Sequence, residues 1–279
     1  MSSPTLTVPD RVQQMPAGRQ AHRASASSMI LLIITAVLGF LAMTWPLFVK
    51  PDAALLGENS VRSSTAVFMM AGLLLVLLAL TIAQLSNDDL DVKAVAMLGV
   101  LTAVGAVLRP LSAGTAGVEL IWAMIILGSR VYGPGFGFLL GNSTMFASAL
   151  LTGGVGPWLP YQMVGAGFVG LGAGLLPKLR GAAEIVTLAV YGFIAAFFYG
   201  ILLDLAFWPF YFKGTDAAFD PHVGILENLH RFFIVNLVTG MGWNLGRAIT
   251  NVVFIAVLGT PILKVLRRAA RRASFAVNA

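Results

Sequence analysis

The chain of 279 residues contains no cysteine. That excludes disulfides, thiolate nucleophiles and Cys-ligated metals, and it leaves the redox compartment unreadable. Histidine is almost as scarce. His22, His222 and His230 lie outside the apolar segments or at their edges, so no buried imidazole is placed to activate an intramembrane serine. No G-x-x-x-x-G-K-[ST] loop occurs, so the chain cannot itself cradle a nucleotide through a P-loop, and neither H-E-x-x-H nor G-x-S-x-G is present. Charge is sparse as well, at 11% of residues, against 58% hydrophobic residues and a mean hydropathy of +0.86. One soluble core cannot hold that much apolar surface, so the bilayer is the solvent. The formal net charge of +6 is spread over loops and one tail, which suits positive-inside topology better than nucleic-acid binding.

Residues 1–28 are polar and without periodicity, as expected of a disordered tail. Met29–Val49 is long enough for a span and has no A-x-A-like site after it, so it reads as a membrane helix rather than a cleaved signal. A polar loop leads to a second span, Thr65–Leu85, and to the acidic turn Ser86–Lys93. From Ala94 glycine and proline become frequent and the apolar runs shorten. The chain therefore divides into two accessory helices over 29–92, a six-helix core over 93–260 and a basic tail over 261–279. The expected core spans are Ala94–Leu108, Val118–Ser129, Gly135–Leu151, Pro160–Leu176, Ala183–Phe210 and Arg231–Leu258. Several are shorter than the ~20 residues of a straight span and must lean on neighbours. The fold class is an all-α integral membrane protein of about eight transmembrane helices.

Lysine and arginine set the orientation. With the N-terminus inside, the inner segments hold Arg11, Arg19, Arg23, Lys93, Arg130, Lys178, Arg180 and all the cations of the C-terminal tail. The outer ones hold only Lys50, Arg62, Arg109, Lys213 and Arg231, so both termini come out cytoplasmic at the cell membrane.

The stretch Tyr132–Gly165 is apolar yet broken by glycines and prolines. Two readings stand: irregular backbone that lines a cavity, or two ordinary helices joined by a Gly-rich loop. In the first, Asn142 and Gln162 offer amides to a ligand while Trp158 and Tyr161 stack on it, with the loop Gly153–Leu159 as a lid. In the second, the aromatics belong to the outer interfacial belt. Arg109, Glu119 and Asp204 fall near the outer ends of their spans, within snorkelling reach of the interface. The last span carries a polar stripe: Asn236, Gly240, Trp243, Asn244, Arg247 and Asn251 lie within about 100° of arc on a helical wheel. Such a stripe is either interhelical glue or a cavity lining. Arg247, left near mid-span, must find acceptors, with Asn244 and Asn251 one turn away and Asp204 in reach only if its helix tilts.

The run VKAVAMLGVLTAVGAVLRP, followed by GGVGPWLPYQMVGAGFVGLGAGLL, resembles the substrate-binding S components of energy-coupling factor vitamin transporters. The resemblance covers residues 93–260, and GPW-x-PYQM is its most specific piece; the two leading helices lie outside the usual six-helix unit. It implies a substrate-capture subunit that takes a vitamin from outside and topples in the bilayer when a T component and two ABC ATPase subunits act on it. Cobalamin stands first among the candidate ligands. The family docks on its T component through an Ala-x-x-x-Ala pattern, matched here by Gly99 and Ala103. Neither catalysis, cofactor nor metal is implied. Two other classes remain open, an intramembrane enzyme acting on a lipid or isoprenoid and a stand-alone secondary transporter. The first wants paired acidic clusters, the second related halves with midplane carboxylates, and the sequence displays neither.

Overall fold

A computed structural model describes residues 26–48, 72, 76, 79, 92–111, 117–156, 158–211, 215, 217–220 and 222–275. The expected N-terminal tail to residue 25, most of the second span Thr65–Leu85 and residues 86–91 of the acidic turn lie outside the described residues. Among those described the secondary structure is helical throughout, with no strand. The helices are α1 (Ala26–Met43), α2 (Val92–Leu111), α3 (Ile121–Tyr132), α4 (Pro134–Thr152), α5 (Leu159–Leu175), α6 (Ala182–Tyr211), α7 (Ile225–Thr239) and α8 (Met241–Phe275), with a 3-10 turn at Trp45–Leu47. Lys93–Leu111, Ala182–Pro209 and Met241–Arg271 are long and apolar enough to cross a membrane.

The short helix α3 is the hub. It packs against α2, α4, α5, α6 and α8, and Ile121, Trp122, Ala123, Ile125, Ile126 and Leu127 are wholly buried. Twelve residues rise only about 18 Å, well short of a ~30 Å hydrocarbon layer. A helix walled on every side by protein has no need to match the bilayer, which is why so short a span is tolerated.

The glycines of the central stretch serve helix contact. α4 and α5 are both regular, so the stretch is two helices and a short link rather than broken backbone at depth. They approach so closely that a methyl group on Gly137 would strike the Gly170 carbonyl, and one on Gly141 would strike that of Ala166. Small residues spaced by four thus let two backbones touch, and dispersion along the seam replaces the hydrophobic drive that lipid cannot supply. Gly153 ends α4 in the left-handed region at φ 65°, turning the chain toward α5.

Two expectations are refined. The last span, Arg231–Leu258, is two helices, α7 and α8, which meet at Gly240. The Asp204 carboxylate and the Asn236 amide occupy the space a Cβ would take there. Helical hydrogen bonds still run through the junction, Gly240 N to Asn236 O at 2.9 Å and Asn244 N to Gly240 O at 3.0 Å. The basic segment after residue 260 continues α8, which runs through Pro261 to Phe275. α1 is tied to the core: Met43 is buried with Tyr161, Val164, Leu202, Ala206 and Phe207, and the Trp45 indole donates to Ala206 O at 2.8 Å.

Candidate ligand-binding site

α6 and the α7–α8 path run antiparallel, and their polar residues face each other. The Asn236 amide donates to the Asp204 carboxylate at 2.6 Å, and the Asn251 amide to Gly192 O at 2.9 Å. Asn244 fits the notch left by Gly200. Asn236, Asn244, Arg247 and Asn251 are all buried, whereas Trp243 is about half exposed.

Arg247 is the centre of this arrangement. Its Nη2 donates to Glu119 Oε1 at 3.1 Å and its Nε to Glu119 Oε2 at 3.4 Å, while Nη1 donates to Asn244 Oδ1 at 2.9 Å and to Ala196 O at 3.5 Å. The guanidinium carbon lies 5.7 Å from the Trp122 ring centre and 5.1 Å from that of Tyr199, within cation–π range of both. Trp122 Nε1 in turn donates to Glu119. A cation deep in an apolar bundle is stable only when its donors are satisfied, and here a carboxylate, an amide, a carbonyl and two ring faces do so. Glu119 reaches it because the link before α3 is pressed onto α8. Gly117 sits at φ 85° with its α-carbon against the Trp243 carbonyl, a position only glycine can hold without strain.

Two cavities open on either side of this pair, at the end of the bundle that holds Arg109 and Gln162. The larger, about 520 Å³, is lined by Tyr199, Asp204, Trp208, Phe232, Asn236, Trp243, Asn244 and Arg247 among others. The smaller, about 320 Å³, is lined by Arg109, Glu119, Ser148, Thr152, Trp158 and Trp243. Trp243 lines both, and the Arg247–Glu119 pair spans from one to the other. One polar atom of a lining residue is orphaned away from the cavity: Asn244 Nδ2 is buried against the Gly200 notch with no hydrogen-bond partner. The amide orientation is fixed by its neighbour, since arginine only donates and therefore holds Asn244 Oδ1. No family model, curated protein or solved structure matches this chain.

The candidates from sequence are distributed unevenly over this geometry. Asn236, Trp243, Asn244 and Arg247 share the larger cavity, and Trp158 lines the smaller. Gln162 Oε1 accepts from Arg109 Nη2 at 2.9 Å, which places it behind the smaller cavity as a support for a lining residue. Tyr161 lies under α1, its ring 5.0 Å from that of Phe207, and Asn142 is sealed between α4 and α5 with its amide on Phe138 O at 2.8 Å. Neither lines these cavities. On α2, Gly99 and Ala103 face outward, and a Cβ on Gly99 would meet nothing within 4 Å. Sequence reasoning passed over Glu119, Trp122 and Tyr199 as partners of Arg247. The usable signal was scarcity: a mid-span cation calls for a carboxylate, and the core offers very few.

Proposed function

We propose that this protein captures a small ring-containing solute at the end of the bundle that holds Arg109 and Glu119. The observation that carries the reading is a 520 Å³ cavity whose lining brings aromatic rings together with Asp204, Asn236 and Arg247. Around it stand Tyr199, Trp208, Phe232 and Trp243, which offer flat apolar faces, and Asn236 and Asp204, which offer polar edges. Large apolar walls with a few convergent polar groups are the usual composition of small-molecule sites.

On this reading the chain is the substrate-binding S subunit of an energy-coupling factor importer, with about eight spans, both termini cytoplasmic and the cavity facing outward. A vitamin or similar micronutrient is the ligand. Cobalamin, first among the candidates, requires the two cavities to merge by movement of Trp243. The exposed face with Gly99 and Ala103 lies toward the opposite end of α2 and would dock on a T component powered by two ABC ATPases. Native mass spectrometry of the purified chain for a retained small molecule, paired with uptake in cells with and without a T component, tests the reading. Ligand retention with partner-dependent accumulation is the expected result. Concentrative uptake in cells lacking any T component would refute it.

A further inference from the structure

The opposite end of the bundle holds a second, chemically different cavity of about 770 Å³. It lies among the end of α3, the start of α4, the α5–α6 link and the last third of α8. Its cationic lining is Arg130, Lys178, Arg180, Arg267 and Arg271. The carboxylate bonded to this group is Glu184, which takes Arg130 Nε at 2.7 Å and Arg267 Nη2 at 2.5 Å on the same oxygen. Among the described residues, Lys178 and Arg180 add cations at the rim beside this bonded group.

The cluster is built rather than fortuitous. The Arg130 side chain is only 6% exposed, and its other nitrogens donate to Leu176 O at 2.9 Å and Leu179 O at 3.3 Å. Arg130 thereby fixes the course of the α5–α6 link, and that link presents Lys178 and Arg180 at the rim, both exposed. The N-terminus of α4 adds to the field: Gly133 and Pro134 line the same cavity, and no side chain caps the helix start. Gly133 N–H is bonded to Ser129 O and Pro134 has no N–H, so the helix start contributes the positive end of its dipole rather than free amides. Val131, Tyr132 and Leu179 supply apolar wall beside the cations. The cavity also lies at the ends of two helices long enough to cross a membrane, which would set it at headgroup depth when they do.

We propose that this cavity binds a phosphate group, with Lys178 and Arg180 contacting its oxygens and Arg130, locked to Glu184, holding the frame. The phosphate belongs either to an anionic phospholipid headgroup or to a free phosphate in solution. The site is independent of the solute cavity at the other end, so either can fail alone.

The test uses the full-length, delipidated protein and two variants at exposed residues, one double and one single. Native mass spectrometry after exposure to phosphatidylglycerol vesicles, with phosphatidylcholine vesicles as control, reads the lipid source. Titration with inorganic phosphate reads the free one. Removal of one near-surface cation weakens anionic-lipid binding about fivefold, so Lys178→Gln with Arg180→Gln is expected to weaken it roughly twenty-five-fold. Arg268→Gln, exposed on α8 but outside the cavity lining, should change it far less. Phosphatidylglycerol retention that falls in the double variant identifies the lipid source. Inorganic phosphate binding that falls in the same variant, without lipid retention, identifies the free source. Binding of neither probe, or an equal loss in Arg268→Gln, overturns the site.

Discussion

Removing the carboxylate from the Arg247–Glu119 pair is the most informative perturbation of this molecule. Glu119→Gln keeps the shape of the side chain but replaces one oxygen with an NH2 group. Glu119 accepts from Arg247 Nε and Nη2 and also from Trp122 Nε1, so the new amide nitrogen must face a donor on one side. The pair is neither fully exposed nor fully sealed, with 10% exposure on arginine and 25% on glutamate. Exposed ion pairs contribute up to about 1 kcal/mol and broken buried ones cost about 3–5 kcal/mol, so a loss of about 2–3 kcal/mol is expected for Glu119→Gln. Arg247→Gln should cost at least as much, because it also frees Asn244 Oδ1 and two ring faces. The assay is equilibrium unfolding in detergent of both single variants and the double. If the two residues act together, the double variant loses about 2 kcal/mol less than the singles combined. Additivity within about 0.5 kcal/mol would refute the pairing.

Gly117→Ala should destabilise by about 1–3 kcal/mol, since it meets a positive φ and the Trp243 carbonyl together, and thermal unfolding measures it. Gly141→Leu should abolish folded monomer in size-exclusion chromatography, because its side chain has only the α5 backbone to enter. Gly99→Leu should leave stability within about 0.5 kcal/mol of wild type and reduce T-component pull-down, with an unchanged pull-down counting against the docking face. Trp158→Ala should weaken solute binding by about 1–3 kcal/mol in titration calorimetry, because the ring lines the smaller cavity while contributing little to the core.

What could be read beforehand depended on periodicity and scarcity. The core helices α2 to α6 follow the apolar runs to within a few residues, since lipid demands long apolar stretches and the links between them are marked by glycine, proline or charge. The polar face from Asn236 to Asn251 was legible too, because 100° per residue fixes which side chains share a side. Partners across helices were not. Glu119 looked interfacial from its distance to the end of its span, but the Gly117 link folds against α8 and carries it to Arg247. Tyr161 resembled a belt aromatic beside Trp158, yet one residue faces α1 and the other a cavity, a split that only the packing of α1 reveals. Likewise Gly240 sat unremarked in a polar stripe, whereas its missing side chain is what admits Asp204.

The seam between α6 and the α7–α8 path resembles a ratchet with its pawls engaged. Asn251 reaches the Gly192 carbonyl, Asn244 fills the Gly200 notch, Arg247 meets Ala196 O and Asn236 holds Asp204. Each tooth has one matching gap, so a slip of a single turn, about 5.4 Å, would drive every amide into a filled position. Shear along this seam is therefore forbidden, while tilting of the two rods together breaks none of these contacts. Any large movement of these two rods must then carry both together, with the seam unchanged.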